Sequence, residues 1–367
     1  PHLIEDDRVT VGSFLREQGY ATACFGKWHL GMDWSDENGA VTDDPERVDF
    51  SRPVRTGPTA FGFDTFFGIS ASLDMEPYVY IHDDRVTELP NRRTEYAEPM
   101  NFWRDGPTGR DFFHIDVLPT ITRRATEYIR AARGRPWFLY APLPAPHTPI
   151  LPTAEFRGVS GTNAYGDFCV QVDAVVGEIV RAVEESGQAD DTMIVFTSDN
   201  GCSPNADFEA LAALGHHPSY LFRGHKADIY DGGHRIPLVV SWPGVTPAGS
   251  VSDQVVCLGD LFATVAEHLG ATLADDVAED SVSNLSILRG EATEPVREAI
   301  VHHSVDGSFS IRQGRWKLEL CPGSGGWSYP KPGEEPEGSP PFQLYDMEAD
   351  VGERRNLYDE RPEIVEH

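Results

Sequence analysis

Four short apolar runs, each closed by a polar, proline-rich or glycine-rich turn, limit what this chain can fold into. They are Tyr20–Phe25, Pro136–Tyr140, Met193–Phe196 and Leu238–Trp242. Their β-branched and aromatic content suits buried strands. Helical periodicity fills much of the space between them. Leu118–Arg133 puts Ile121, Ala125, Tyr128 and Ile129 on one face, with Pro119 in the first turn. Tyr165–Ser186 turns Val172, Val175, Val176, Ile179 and Val183 inward, and Leu261–Leu269 is a shorter helix. Val9–Gly19 is another, with Val11, Phe14 and Leu15 on one side and Gly19 at its end. Strand–helix–strand alternation to about Gly270 predicts an α/β fold with a mainly parallel sheet flanked by helices. From about Arg297 the pattern changes to short strands at Ala299–His302, Ser308–Arg312, Trp316–Leu320 and Phe342–Tyr345. The expectation is an α/β domain over residues 1–296 and a small C-terminal antiparallel α+β subdomain over 297–367. Gly323–Pro341, rich in Gly, Pro and Glu, reads as a mobile loop.

The third run carries the first chemical signal. Met193–Phe196 leads directly into Thr197-Ser198-Asp199-Asn200-Gly201. The carboxyl end of a buried strand is the usual ligand position of an open α/β sheet. Asp and Asn oxygens together favour a hard cation such as Ca²⁺ or Mg²⁺. Taken alone, the same residues also describe an Asx turn capping a strand. Lys226 and the Gly-Gly turn of Asp231-Gly232-Gly233-His234-Arg235-Ile236-Pro237 follow within the same segment.

Lysine usage sharpens the signal. Only Lys27, Lys226, Lys317 and Lys331 occur, and the rest of the 30 basic residues are arginine. Two of the four lie in the densest motifs, where an ammonium rather than a guanidinium is evidently needed. The formal net charge of −29 excludes a nucleic-acid backbone as partner. It leaves room for an anionic substrate, because a small site can be locally positive on an acidic protein. The five cysteines are widely spaced and form no CxxC pattern, which points to scattered free thiols with room for one disulfide. No run reaches transmembrane length.

Four loops now stand at or near predicted strand ends: Lys27 with His29, His147 within Ala141–Pro149, Asp199 with Asn200, and Lys226. Two ammonium groups, two imidazoles and a hard-metal pair suit an oxyanion such as sulfate or phosphate. Cations would neutralise its oxygens while an imidazole or ammonium protonates the leaving oxygen. Each piece has a plain structural reading as a packed loop, a stacked ring or a surface charge. All four in one α/β chain are much less easily a coincidence.

These motifs occur in order: GYATACFGKWHLG (19–31), GFDTFFG (62–68), WFLYAPLPAPHTP (137–149), TSDNG (197–201), KADIYDGGHRIPLVVSWPG (226–244) and SIRQGRWKLEL with FQLYDMEADVGERRNL (310–357). The chain resembles the sulfatase family of the alkaline phosphatase superfamily along most of its length. The resemblance implies a sulfuric ester hydrolase with a formylglycine nucleophile and a divalent cation, Ca²⁺ or else Mg²⁺. It implies that Lys27, His147 and Lys226 contact the sulfate, with His147 and Lys226 assisting the leaving oxygen. It places His29 beside the formylglycine hydroxyls and makes Asp199 and Asn200 metal ligands. A secreted or periplasmic location also follows from the resemblance.

Two departures stand out. Asp231 occupies a position where similar proteins carry Glu, and His225 precedes Lys226, where it either reaches substrate or is an exposed loop residue. More seriously, the family's C-x-P-S-R nucleophile motif and its first Asp pair precede GKWHLG, and only 25 residues precede Gly26 here. No cysteine has the required context. Ser51-Arg52-Pro53-Val54-Arg55 matches a serine variant formally but lies after GKWHLG, in what reads as a surface loop. The expectation is an N-terminally truncated sulfatase that folds poorly and releases no sulfate alone, its formylglycine in the absent segment.

The substrate expectation is a sulfated small molecule or polysaccharide, with a preference for the polysaccharide. Ser72–Pro90 resembles segments of bacterial carbohydrate sulfatases. Tyr78, Tyr80, His82 and Arg85 are candidate sugar contacts, although a core hairpin explains the tyrosines equally well. A phosphomonoester or phosphonate hydrolase of the same superfamily is the alternative enzyme. A non-catalytic protein that binds sulfated glycans is the alternative class.

Overall fold

A glycine-lined contact between two strands sets the geometry of the first half of the chain. β1 (Ala21–Lys27) pairs in parallel with β2 (Thr65–Ile69), and Gly26 faces Gly68 in the register. The structure, a computed structural model, describes residues 1–95, 102–132 and 134–367. It divides into two compact units, Pro1–Ala189 and Asp190–His367.

In the first unit, β3 (Ile81–His82) and β4 (Arg85–Val86) form the expected hairpin, and β5 (Trp137–Tyr140) lies on the other side of β1. The five-stranded sheet runs β4-β3-β2-β1-β5, parallel where β1 meets β2 and β5, and antiparallel beyond β2. Side chains alternate across it, as the two-residue strand period requires. Ala23, Phe25, Phe67 and Ile69 point to one face, against Ile121 and Ala125. Cys24 and Phe66 point to the other, against Trp28, Phe61 and Phe63.

Three helices accompany this sheet: α1 (Val11–Glu17), α2 (Val117–Ala131) and α3 (Ala164–Glu185). Thr10 and Ser13 cap α1 reciprocally, each side chain bonding the other's backbone N–H, at 3.0 and 2.9 Å. Asn163 Oδ1 caps α3 by accepting from the amides of Tyr165 and Gly166 at 3.0 and 3.2 Å. The face of α2 expected from its periodicity is the buried one, with Ile121, Ala125 and Ile129 almost without exposure.

In the second unit, β6 (Ile194–Thr197) and β7 (Leu238–Ser241) pair with each other, antiparallel rather than in the parallel manner the alternation suggested. α4 (Asp260–His268) follows. β8 (Ala299–His303), β9 (Phe309–Gln313), β10 (Trp316–Glu319) and β11 (Gln343–Asp346) then form an antiparallel sheet in sequential order, close to the four strands read from the sequence.

The reading of Gly323–Pro341 as a mobile loop holds poorly for its first part. Gly323–Gly326 are buried, and the Asp228 carboxylate accepts from the amides of Trp327 and Ser328 at 2.7 and 2.9 Å. A fully buried carboxylate requires such donors, and this stretch of loop supplies them. All five cysteines are free thiols. Among the described residues, no helix is long and apolar enough to cross a membrane.

Candidate functional site

In the first unit the site begins where β1 ends. Gly26 has φ +149°, and a Cβ there would lie 2.0 Å from the carbonyl oxygen of Pro142. Only glycine permits that approach. The next residue completes the contact, with Lys27 N donating to Pro142 O at 2.7 Å. The Lys27 turn and the proline-rich loop carrying His147 are therefore stitched together by main-chain contacts.

Both candidate imidazoles then meet one further segment, the Ser70–Asp74 stretch that follows β2. Trp28 N and His29 N donate to Ile69 O and Ser70 O, each at 3.0 Å. His29, at φ +54°, shares a 3.2 Å hydrogen bond between its Nδ1 and Ser72 Oγ. His147 Nδ1 donates to Thr148 O at 2.9 Å and lies 3.8 Å from Asp74 Oδ1, within ion-pair range but beyond hydrogen-bond length. The main chain at Lys27 and His29 and the His147 side chain thus lie along neighbouring backbone. Ser72 and Asp74, both buried, escaped the sequence reading. They lie inside a stretch singled out for its tyrosines, and nothing in their local pattern marks them.

Those tyrosines have another role. Tyr78 is buried, and its hydroxyl donates to Asp74 O and Arg104 O at 3.1 and 2.7 Å. Tyr80 packs against Phe67 and Phe112, at ring-centroid distances of 5.4 and 5.0 Å. They are core residues, not sugar contacts. His82 and Arg85 are exposed on the hairpin. Ser51 is exposed too, and its hydroxyl donates to Asp49 Oδ1 at 2.6 Å, so the S-x-P-x-R match sits in a surface turn.

In the second unit, the Asp199-Asn200-Gly201 turn follows β6 directly. Gly201 N donates to Gly233 O at 2.9 Å, and a Cβ on Gly201 would lie 1.8 Å from Gly232 O. Adjacent to it, Lys226 N donates to Cys202 O at 2.9 Å. One short stretch, 199–202, therefore anchors both the lysine turn and the Gly-Gly turn.

The donor set at the turn suits a hard cation. Asp199 is exposed, and its Oδ1 accepts from Asn200 N at 3.0 Å. Asn200 Nδ2 donates to Gly201 O at 3.0 Å, which leaves its Oδ1 as an acceptor. These two side chains could supply part of the roughly six to eight oxygens that Ca²⁺ takes. Among the described residues, no group of three or more His, Cys, Asp or Glu gathers as a metal centre.

Behind these turns lies a charge cluster that the sequence did not advertise. Lys317 Nζ has no exposure and donates to Asp231 Oδ1 at 3.0 Å, Glu353 Oε1 at 2.5 Å and Ile229 O at 3.1 Å, with Glu319 Oε1 at 3.3 Å. Burial opposes charge on Asp231, yet Lys317, aided by Arg312 and Arg235, holds its carboxyl below the usual range. Burial, with Glu353 beside it, pushes Glu319 well up. His234 and His302 meet nearby with ring centroids 4.1 Å apart and their planes tilted by 46°. Burial, then the Lys317 charge, brings them down to about 4 and about 3 respectively. His225 is neither a loose loop residue nor open to solvent. Its Nδ1 donates to Lys226 O at 3.0 Å and lies 3.4 Å from the buried Asp228 carboxylate.

Known proteins are similar to this chain along most of its length. The chain is 29% identical over 406 aligned residues to an N-acetylgalactosamine-6-O-sulfatase of Bacteroides thetaiotaomicron, covering 99% of this chain and 76% of that one. It is 27% identical to an N-acetylgalactosamine-6-sulfatase of Canis lupus familiaris, covering 88% of this chain and only 56% of that longer protein. A solved sulfatase structure, described under the metabolism of multiple glycosaminoglycans by Bacteroides thetaiotaomicron, superposes with a TM-score of 0.84 at 28% identity, covering 100% of this chain and 81% of that one. The family description "Sulfatase" matches residues 2–271, from the β1 motif through the lysine and Gly-Gly turns and beyond, so this chain belongs to the sulfatase family.

Proposed function

We propose that the protein is a sulfuric ester hydrolase acting on a sulfated carbohydrate. The observation that carries this reading is the Gly26–Pro142 approach, which brings the Lys27 and His147 loops together beside Ser72 and Asp74. A lysine and an imidazole held on stitched main chain are pre-positioned for a tetrahedral oxyanion, so little ordering is left for the moment of reaction.

On this reading Lys27, His147 and Lys226 hold the sulfate oxygens. His147 and Lys226 deliver a proton to the leaving sugar oxygen, and His29 serves the nucleophile. Asp199 and Asn200 hold part of the shell of a Ca²⁺ or Mg²⁺ ion. When bound, that ion supplies positive charge to the sulfate oxygens. The 367 residues contain no C-x-P-S-R, so the proposed chemistry takes its formylglycine nucleophile from residues other than these. These residues alone then bind a sulfated sugar without releasing sulfate. The similarity to sulfatases named for N-acetylgalactosamine 6-sulfate supports a 6-sulfated hexosamine as substrate.

The test is sulfate release from N-acetylgalactosamine 6-sulfate by these residues joined to a nucleophile-bearing segment from the same gene. Free sulfate, lost in K27A, H147A and K226A, is the expected result. Release of phosphate from the matching phosphate ester in preference to sulfate would overturn the assignment.

A further inference from the structure

Just before Lys226 the second unit opens a cavity that the proposed chemistry leaves unused. It has a volume of about 660 Å³, and its walls come from the 217–223 loop and the Gly352–Arg354 turn after β11. The two walls meet closely, since a Cβ on Gly352 would lie 3.1 Å from Leu221 O.

We infer that this cavity binds an anionic sugar unit of the polysaccharide, next to the unit that carries the scissile sulfate. The inference rests on the sulfated-carbohydrate reading above. Charge is the first argument. On a chain of net charge −29, the side chains lining this cavity include Arg223, Arg354 and His217. The one acid in the wall, Glu353, turns its carboxylate inward to Lys317 Nζ and Asp231 N and has no exposure. Neighbouring Asp350 is engaged by the main-chain amides of Arg354 and Arg355, at 2.7 and 2.8 Å. A locally positive cavity on an acidic surface selects an anion.

The second argument is the aromatic wall. Tyr220 is 69% exposed and is held outward at φ +53°, a backbone region a tyrosine rarely adopts. Its ring meets Phe222 edge to face at 5.8 Å, and Phe222 in turn carries the Arg235 guanidinium over its face at 4.6 Å. Arg223 is fixed by Tyr345 Oη and Glu353 O at 3.0 and 3.1 Å and lies over the Tyr230 ring at 3.8 Å. A pre-oriented guanidinium, a second exposed one on Arg354 and an exposed flat ring match a sugar. The ring takes the apolar face of the pyranose, and the guanidiniums take a carboxylate or sulfate.

The experiment is calorimetric titration, with two probes, of these residues joined to the nucleophile-bearing segment of the same gene, with alanine in place of the nucleophile. One is N-acetylgalactosamine 6-sulfate. The other is a tetrasaccharide alternating that unit with glucuronic acid. The tetrasaccharide is expected to bind at least tenfold more tightly, with the gain removed by Y220A and by R354A and reversed by R354E, while the monosaccharide is unchanged in all three. Reducing the uronates to neutral glucose units distinguishes the anion. Loss of the gain assigns the carboxylate of the neighbouring unit, and its retention overturns an anionic neighbour. Equal tetrasaccharide affinity in wild type, Y220A, R354A and R354E overturns the inference. K226A separately checks the reading beneath it: if K226A leaves the monosaccharide untouched while Y220A and R354A still weaken the tetrasaccharide, the cavity stands and the sulfate-site assignment falls.

Discussion

Lys317 Nζ lies 3.0 Å from Asp231 Oδ1 with its side chain wholly out of water, so the only described lysine in the C-terminal sheet secures the Gly-Gly turn. Removing one partner of such a pair leaves an uncompensated charge behind. Lys317→Met is expected to lower stability by about 3–5 kcal/mol, read from urea unfolding midpoints. A change below about 1 kcal/mol would show that the carboxylates find protons or water without the lysine.

The His234–His302 pair next to it makes stability depend on pH. The folded chain keeps His302 neutral down to about 3, whereas an imidazole in the unfolded chain protonates near its ordinary value of about 6.5. As pH falls through that window the unfolded state takes up a proton that the folded state refuses, so this contribution to stability is lost with acid. Replacing His302 with Gln is expected to make the slope of stability against pH less positive by up to about 1.4 kcal/mol per pH unit between pH 6.5 and 4. Parallel curves for the two proteins would contradict the buried, neutral assignment.

Gly26→Ala tests the stitched loops directly. Its Cβ would collide with Pro142 O at 2.0 Å, in a backbone conformation that disfavours alanine. The expected cost is about 2–4 kcal/mol, together with weaker binding of a sulfated hexosamine. A variant with wild-type stability and affinity would mean that the two loops can separate without consequence.

Ser72→Ala removes the hydroxyl at 3.2 Å from His29 Nδ1. Stability should change by only about 0.5–1.5 kcal/mol. The His29 Nδ1 shift should move as that hydrogen bond is lost, seen by NMR. An unchanged nitrogen spectrum would assign the orientation of His29 to other groups.

Much of the architecture was legible because burial writes itself into local pattern. The period of α2 announces its buried face through Ile121, Ala125 and Ile129, and the short apolar runs announce β1, β5, β6 and β7 as strands, but only β1 is buried as expected, since Phe196 of β6 and Leu238 and Val239 of β7 are exposed. Pairing direction was less legible. β6 and β7 are as apolar as parallel strands, yet they run antiparallel, because residue type does not record a partner's direction. Tyr78 and Tyr80 misled for a related reason: an aromatic residue with a hydroxyl suits a sugar platform and a satisfied core equally well.

The sequence by itself determined the candidate residue types and their loops: Lys27, His29, His147, the Asp199–Asn200 turn and Lys226. Strand ends and glycine turns are local features, and the choice of lysine in a chain that otherwise uses arginine is visible in composition. Only the tertiary structure decided what holds them. Asp74 approaches His147 across 73 positions, Pro142 reaches Lys27 across 115, and Lys317 reaches Asp231 across 86. Contacts between residues so far apart depend on how strands and loops pack, and no local pattern of residue types encodes them.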